Sequence, residues 1–186
     1  MFGFSLLLKK SKYPELLILE IDADKPGDLS KISTWLKPDM LIITTTGEVP
    51  SHIESFPSLE NFLNEKKNII NSVKKDGVII YNKDDLTTAS LLTDVSFRKI
   101  SCGVKTDADI KGTIPTILYS NSKTYSTPTG MSFDIIFNNT NYPINILETL
   151  GIQNEYASLL AFGASVELGV LVSKIGNFLN KYPKIP

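Results

Sequence analysis

Four residues in this sequence are of types that can hold a cation or move charge, and each stands where an apolar pattern breaks. Glu20 directly follows Leu16–Leu19, and a carboxylate there is costly to bury unless a cation or donor meets it. His52 is the single histidine. It lies in a Gly47–Pro50 loop region after the run LIIT and the residues Thr44, Thr45 and Thr46, and imidazole suits metal coordination or charge work near neutral pH. Asn82 closes the run VIIYN. Lys66 lies on the stripe Leu59, Phe62, Leu63, Ile69, Ile70 and Val73, seven positions after Leu59, where helical periodicity asks for an apolar residue. Desolvation of a lysine there favours the neutral amine, which can be chemically modified. Plainer roles stand beside these: a water-exposed acid at a strand end, a surface histidine, and a lysine whose stem packs while its ammonium escapes.

The elements that must position these groups alternate. Leu16–Glu20, Leu41–Thr44 and Val78–Asn82 are short, β-branched-rich apolar runs, as expected of strands buried on both faces of a parallel sheet. Between them, 29–36 and 58–73 have helical character. Lys37-Pro38 stops the first, Ser58 offers an N-cap to the second, and Asp76-Gly77 turns the chain into the third run. This order gives βαβ units. Open sheets of this kind bind ligands outside the carboxyl ends of their strands, where Glu20, the threonine loop with His52, and Asn82 would meet. After a short helix over 86–94, the region 97–146 turns rich in Thr, Ser, Asn and Tyr. It reads as an antiparallel meander of about three strands, with turn signals at Asn121-Ser122, Pro128–Gly130 and Asn138-Asn139. Helices over 154–168 and 171–181 close the chain.

Several classes are excluded by composition. Hydrophobic residues make up 42 % of the 186-residue chain, enough for a packed core, and the length suits a single domain over 1–186. The formal net charge is −1, with 19 basic residues scattered among 20 acidic ones, so the clustered basic face of a nucleic-acid binder is missing. The single cysteine, Cys102, excludes an internal disulfide and suits a reducing, cytoplasmic setting. The apolar stretch Phe2–Leu8 has neither a preceding basic residue nor a small-residue cleavage site, and it is too short to span a bilayer. It reads as core material. Neither G-x-x-x-x-G-K-[ST] nor G-x-G-x-x-G occurs, so the usual backbone cradle for a triphosphate is absent from this sequence.

Taken in order, the motifs resemble the central domain of the Mur ligases. LEIDADKPGD (Leu19–Asp28) is similar to that family's E-[ML]-G-A-x-x-P-G-[ED] segment. Pro38-Asp39 followed by LIITTTGEVPSHIESFPSLENF resembles its segment from PD through TNIG to a histidine. Glu65–Ile69 matches the K-x-x-[IL] helix, Asp76–Asp85 resembles DG-(apolar)-NADD, and Leu150–Ala164 resembles GxHN-x-x-N-x-x-A-A-x-A. The branch adding D-alanyl-D-alanine to UDP-N-acetylmuramoyl-tripeptide is the nearest in pattern. The resemblance implies a Rossmann-like, mostly parallel sheet flanked by helices, lacking the first strand and phosphate loop, with the β-rich 97–146 region before the last helices. It implies an ATP-dependent carboxylate–amine ligase of peptidoglycan precursor synthesis, in which ATP phosphorylates a carboxylate and an amine attacks the acyl phosphate. It places Glu20 on a magnesium-binding glutamate, His52 on a second metal site, and Lys66 on a carbamylated lysine that helps hold that metal. These three form the implied catalytic and Mg²⁺-facing set, and Asn82, Asn154 and Thr45 fall near the ATP.

The departures are specific. Asp22 stands where the family has Gly, Thr45 where Asn is usual, and Gln153 where His is usual. The resemblance implies further ligase domains on either side as partners, so the isolated chain is expected to be inactive and prone to self-association through an uncovered sheet edge. UDP-muramoyl-peptide and D-Ala-D-Ala would be substrates of the whole ligase. A degenerate, non-catalytic scaffold of the same fold, or a piece of a folylpolyglutamate- or cyanophycin-type ligase, fits the same motifs.

Overall fold

A computed structural model describes residues 14–120 and 125–181. Among these, helices α1 (Asp28–Trp35), α2 (Leu59–Asn71), α3 (Leu86–Leu91), α4 (Ile152–Glu167) and α5 (Val172–Leu179) accompany seven strands. The strands are β1 (Met40–Ile43), β2 (Val78–Asn82), β3 (Arg98–Gly103), β4 (Ile110–Gly112), β5 (Thr116–Tyr119), β6 (Pro128–Phe137) and β7 (Thr140–Leu147). They form one sheet. β1, β2, β3 and β4 run parallel in sequence order. β6 then adds antiparallel to β4, and its earlier half pairs with β5 while Gly130–Phe137 pairs with β7. The described helices include none long and apolar enough to cross a membrane.

β2 shows why the sheet is covered on both faces. Ile79 packs with Ile70, Val73, Leu91 and Leu92 under α2 and α3. Val78 and Ile80 instead join Cys102, Ile110, Leu159 and Phe162 under α4. Alternation with a period of two sends successive side chains to opposite layers, and here both layers are apolar. Gly77, just before β2, is required by close approach: a Cβ there would lie 2.6 Å from Val73 Cγ1 and 2.9 Å from the Asp39 carbonyl oxygen.

A third cluster joins α1 and α2 through Leu29, Phe56, Phe62 and Ile69, with Ala23. Ser58 caps α2 as its sequence position implied, accepting from the Asn61 N–H. The cap of α1 comes from another element. Glu65, on α2, accepts from the N–H groups of Gly27 and Ser30, each at 2.9 Å. A carboxylate here meets both orphan donors and the positive end of the helix.

The sheet departs from the sequence-based expectation in four places. Leu16–Glu20 is not a strand: it has no regular structure, and Leu17 and Ile18 are 76 % and 81 % exposed. An apolar run becomes a strand only where another strand offers it a ladder, and no described strand pairs with it. β1, expected to be buried on both faces, lies at the edge of the sheet among the described residues, with Ile42 exposed. The 97–146 region begins with β3, which extends the parallel sheet, and only β5–β6–β7 form the antiparallel meander. Pro128–Gly130 is paired strand and not a turn. The turn at Asn138-Asn139 is present, both residues having positive φ as a tight hairpin demands. Phe2–Leu8 and Asn121-Ser122 lie outside the described residues.

Glu65→Ala leaves the Gly27 and Ser30 N–H groups without their acceptor, and urea unfolding is expected to show a loss of about 1–2 kcal/mol. The same truncation of the exposed neighbour Lys67 is expected to stay within about 0.5 kcal/mol.

Candidate functional site

Carboxyl ends of the first parallel strands open on a pocket of about 360 Å³. Thr45, Gly47 and Glu48 enter from the loop after β1, Asn82, Asp84 and Asp85 from the end of β2, Lys105 from the loop after β3, and Gln153 and Tyr156 from α4. This is the crevice that the strand-end rule anticipates.

Two adjacent carboxylates build its walls. Asp84 accepts from the N–H groups of Val104, Lys105 and Thr106 at 2.6, 2.9 and 2.8 Å, from the Thr106 hydroxyl at 2.6 Å, and from the Tyr156 hydroxyl at 2.8 Å. Burial opposes its charge, yet these donors prevail and hold the Asp84 carboxyl well below the usual carboxylate range. Asp85 caps α3 through the Thr88 N–H at 3.0 Å and accepts from the Thr46 and Gly47 N–H groups at 2.6 and 2.8 Å. Buried Thr46 adds a hydroxyl contact of 2.9 Å to Thr88. The β1 loop is therefore fastened to the β2 loop.

Of the expected nucleotide-facing residues, Thr45 and Asn82 line this pocket. Thr45 is exposed, with its hydroxyl donating to the Thr44 carbonyl at 2.7 Å. Asn82 is buried, and its side-chain oxygen accepts from the Asp84 N–H at 3.0 Å. Asn154 is not among the lining residues. It turns back on its own helix start, donating to the carbonyls of Leu150 and Gly151 at 3.0 and 3.4 Å, while its neighbour Gln153 faces the pocket.

The expected metal-facing residues form a separate group on the α1–α2 side. The Lys66 ammonium lies 3.3 Å from Asp22 Oδ1 and 5.3 Å from the centre of the Phe62 ring, and the side chain is 19 % exposed. His52, held at positive φ, has Nε2 3.5 Å from Asp24 Oδ1. Burial disfavours the Asp22 charge, but the Ala23 N–H and then Lys66 outweigh it, so this carboxyl titrates below its ordinary range. Glu20 is exposed and makes no hydrogen bond or ion pair with a described residue. No three His, Cys, Asp or Glu side chains converge on a metal position among the described residues. As an ammonium, Lys66 fits Asp22. As a carbamate it would face a like charge, and only a cation between the two would relieve that repulsion.

Glu155 is a group the motif reading passed over. It sits in the first turn of α4, is 0 % exposed, and neither of its carboxyl oxygens has a hydrogen-bond partner. The signal was in the sequence: with Leu159 and Phe162 it lies at spacings of four and seven on the buried stripe of α4, as Lys66 does on α2. Burial first, and the charge of Asp84 second, push the Glu155 carboxyl up to about 7. Cys102 is buried and its thiol is pushed up to about 12, mainly by burial, so it packs as a small neutral side chain.

The fold and the crevice together define an α/β domain with a mostly parallel sheet and a crevice at its strand carboxyl ends. The family model described as Mur ligase middle domain matches residues 2–165, and the chain belongs to that family. It is 37 % identical over 71 residues to the UDP-N-acetylmuramoyl-tripeptide–D-alanyl-D-alanine ligase of Bacillus subtilis, covering 38 % of this chain and 15 % of that one. It is 27 % identical over 168 residues to the UDP-N-acetylmuramate–L-alanine ligase of Aquifex aeolicus, covering 90 % of this chain and 34 % of the relative. Among solved structures, MurF from Acinetobacter baumannii superposes with a TM-score of 0.71 at 20 % identity over 88 % of this chain and 33 % of that one. MurF from Thermotoga maritima in complex with ADP gives 0.68 at 16 % identity, covering 88 % and 35 %. The chain thus spans about a third or less of these relatives' lengths.

Glu155 also sets a pH dependence. Its carboxyl holds a proton more tightly in the folded chain, up to about 7, than the ordinary value of 4.5. Stability is therefore full below about 4.5 and is lost as pH rises toward about 7. Asp84 acts with the opposite sign, and its effect is confined below its ordinary value of 3.8. Urea midpoints of the wild-type chain should fall across the Glu155 window, and Glu155→Gln should flatten that decline.

Proposed function

We propose that this chain is the central, nucleotide-holding domain of an ATP-dependent carboxylate–amine ligase of peptidoglycan precursor synthesis, and that it is inactive alone. The observation carrying this reading is the pocket that gathers Thr45 and Asn82 at the strand ends of a Mur ligase middle domain. Bound ATP would supply the phosphoryl group that activates a carboxylate for attack by an amine. Asn82 and Thr45 would orient the nucleotide, and Asn154 would fix the helix start that presents Gln153. Among the described residues, Lys105 is the one cation lining the pocket and would meet the negative charge. Glu20, His52 and Lys66 are kept as the Mg²⁺-facing set, with Asp22 and Asp24 as nearby oxygen donors. Magnesium asks for only one or two protein carboxylates, the remainder being phosphate and water. The UDP-muramoyl-peptide and the D-Ala-D-Ala-type substrate would be held by other domains of the ligase. Exposed Leu16–Leu19 and the open edge of β1 would make the isolated chain self-associate.

A specific observation favours a second reading, a non-catalytic module. Asp22, in place of the family's Gly, already neutralises Lys66. Calorimetry with Mg²⁺-ATP separates the two. On the ligase reading the chain alone gives no binding heat, and binding appears once the neighbouring ligase segments are joined to it. Silence in that longer protein would favour the module, and robust ATP hydrolysis by the isolated chain would overturn the claim that it is inactive alone.

A further inference from the structure

Glu155 enters the core through a gap left for it. A Cβ built on Gly112 of β4 would collide with Glu155 Oε1 and lie 3.1 Å from Val104 Cγ2. The carboxyl therefore occupies the space of the side chain that residue 112 lacks. It makes no hydrogen bond to the N–H groups of its own helix start, where an acidic residue ordinarily finds both partners and a favourable dipole. Its environment supplies no compensating cation. From the β2–α3 turn, the negative Asp84 carboxylate faces it. On its own helix, Tyr156 donates its hydroxyl to Asp84. On β3, Cys102 is a neutral thiol directed at the Leu159 carbonyl. Lys105 gives its N–H to Asp84 and its side chain to the pocket. Lys111 precedes Gly112 on β4, so strand alternation sends it to the opposite face. Asp109 is engaged by Ser101.

We propose that Glu155 is a proton-binding site whose ionisation loosens the Val104–Thr106 wall of the pocket. With its proton, the carboxyl is a neutral filler between α4 and β4. Losing the proton places a second anion beside Asp84, without a donor to meet it. The cheapest relief is for Tyr156 or the 104–106 N–H groups, all now held by Asp84, to shift toward Glu155. That shift moves the segment carrying Lys105, so the charge lining the pocket changes with pH. The proposal concerns the pocket wall itself and requires no bound nucleotide, so it can fail or hold independently of the ligase reading.

The test uses the full chain without ligand. Carbon-detected NMR of the Glu155 carboxyl should show titration near neutral pH. Amide exchange of Val104, Lys105 and Thr106, compared between wild type and Glu155→Gln at about pH 5.5 and about pH 8, should be equal at the lower pH. At the higher pH the wild type should exchange about tenfold faster than the variant. A Glu155 carboxyl already ionised at about pH 5, or equal exchange in both proteins at the higher pH, overturns the proposal. Should Glu155→Gln fail to fold, the wild-type titration and exchange profile decide alone. An exchange increase in 104–106 that tracks the carboxyl titration supports the proposal, and its absence sinks it.

Discussion

Two neighbouring carboxylates, Asp84 and Asp85, carry the arrangement of the strand ends. Asp84 takes backbone N–H groups and a hydroxyl from the loop after β3 and the Tyr156 hydroxyl from α4, and Asp85 takes backbone N–H groups from the loop after β1 and the start of α3. Loops at the carboxyl edge of a parallel sheet cannot pair with one another as strands do, so their N–H groups need acceptors from elsewhere. A side chain from the central strand's own turn is well placed to supply them. Charge-assisted bonds of this kind are roughly twice as strong as neutral ones. The crevice follows from this fastening, because two loops tied to one turn leave a concavity between them.

The same two carboxylates limit what the crevice can do. Asp84 and Asp85 turn their oxygens to donors within the domain, which leaves fewer acceptors for a ligand. Glu48 and Lys105 remain at the rim. The Lys66–Asp22 and His52–Asp24 pairs lie in another part of the molecule, beside α1 and α2. The two charged pairs and the pocket lining thus draw on different residues.

How much of this was legible in sequence depends on whether a residue's partner is local. α2 was readable because its cap, stripe and turn lie within its own residues. β2 was readable because a strand covered on both faces must be apolar throughout. Leu16–Glu20 has the same texture and misled for that reason: apolarity states a need for burial, while pairing depends on what lies alongside. β3 was hidden by its polar residues, since Ser101 is buried against Asp109 and not against apolar neighbours. At the site, Asn82 and Thr45 could be found from strand ends, and Lys66 from a broken stripe. The roles of Asp84 and Asp85 could not, because each is defined by N–H groups from segments remote in sequence. Asp85 alone left a trace, as an acid three residues before Thr88 at a helix start.

Lys66 and Glu155 form an instructive contrast. Both replace an apolar residue on a helical stripe, and both are charged types in ordinary solution. Lys66 reaches a carboxylate and an aromatic face, so its charge is accommodated where it stands. Glu155 reaches neither a cation nor a donor, only the bare backbone of Gly112 and the field of Asp84. The chemistry available to each follows from that difference. An uncompensated carboxyl in a closed space keeps its proton only while the solvent supplies one readily, so it is the part of this domain most exposed to a change in proton activity. Its electrostatic coupling to Tyr156 and Asp84 means that the loss of one proton acts on the fastening that shapes the crevice.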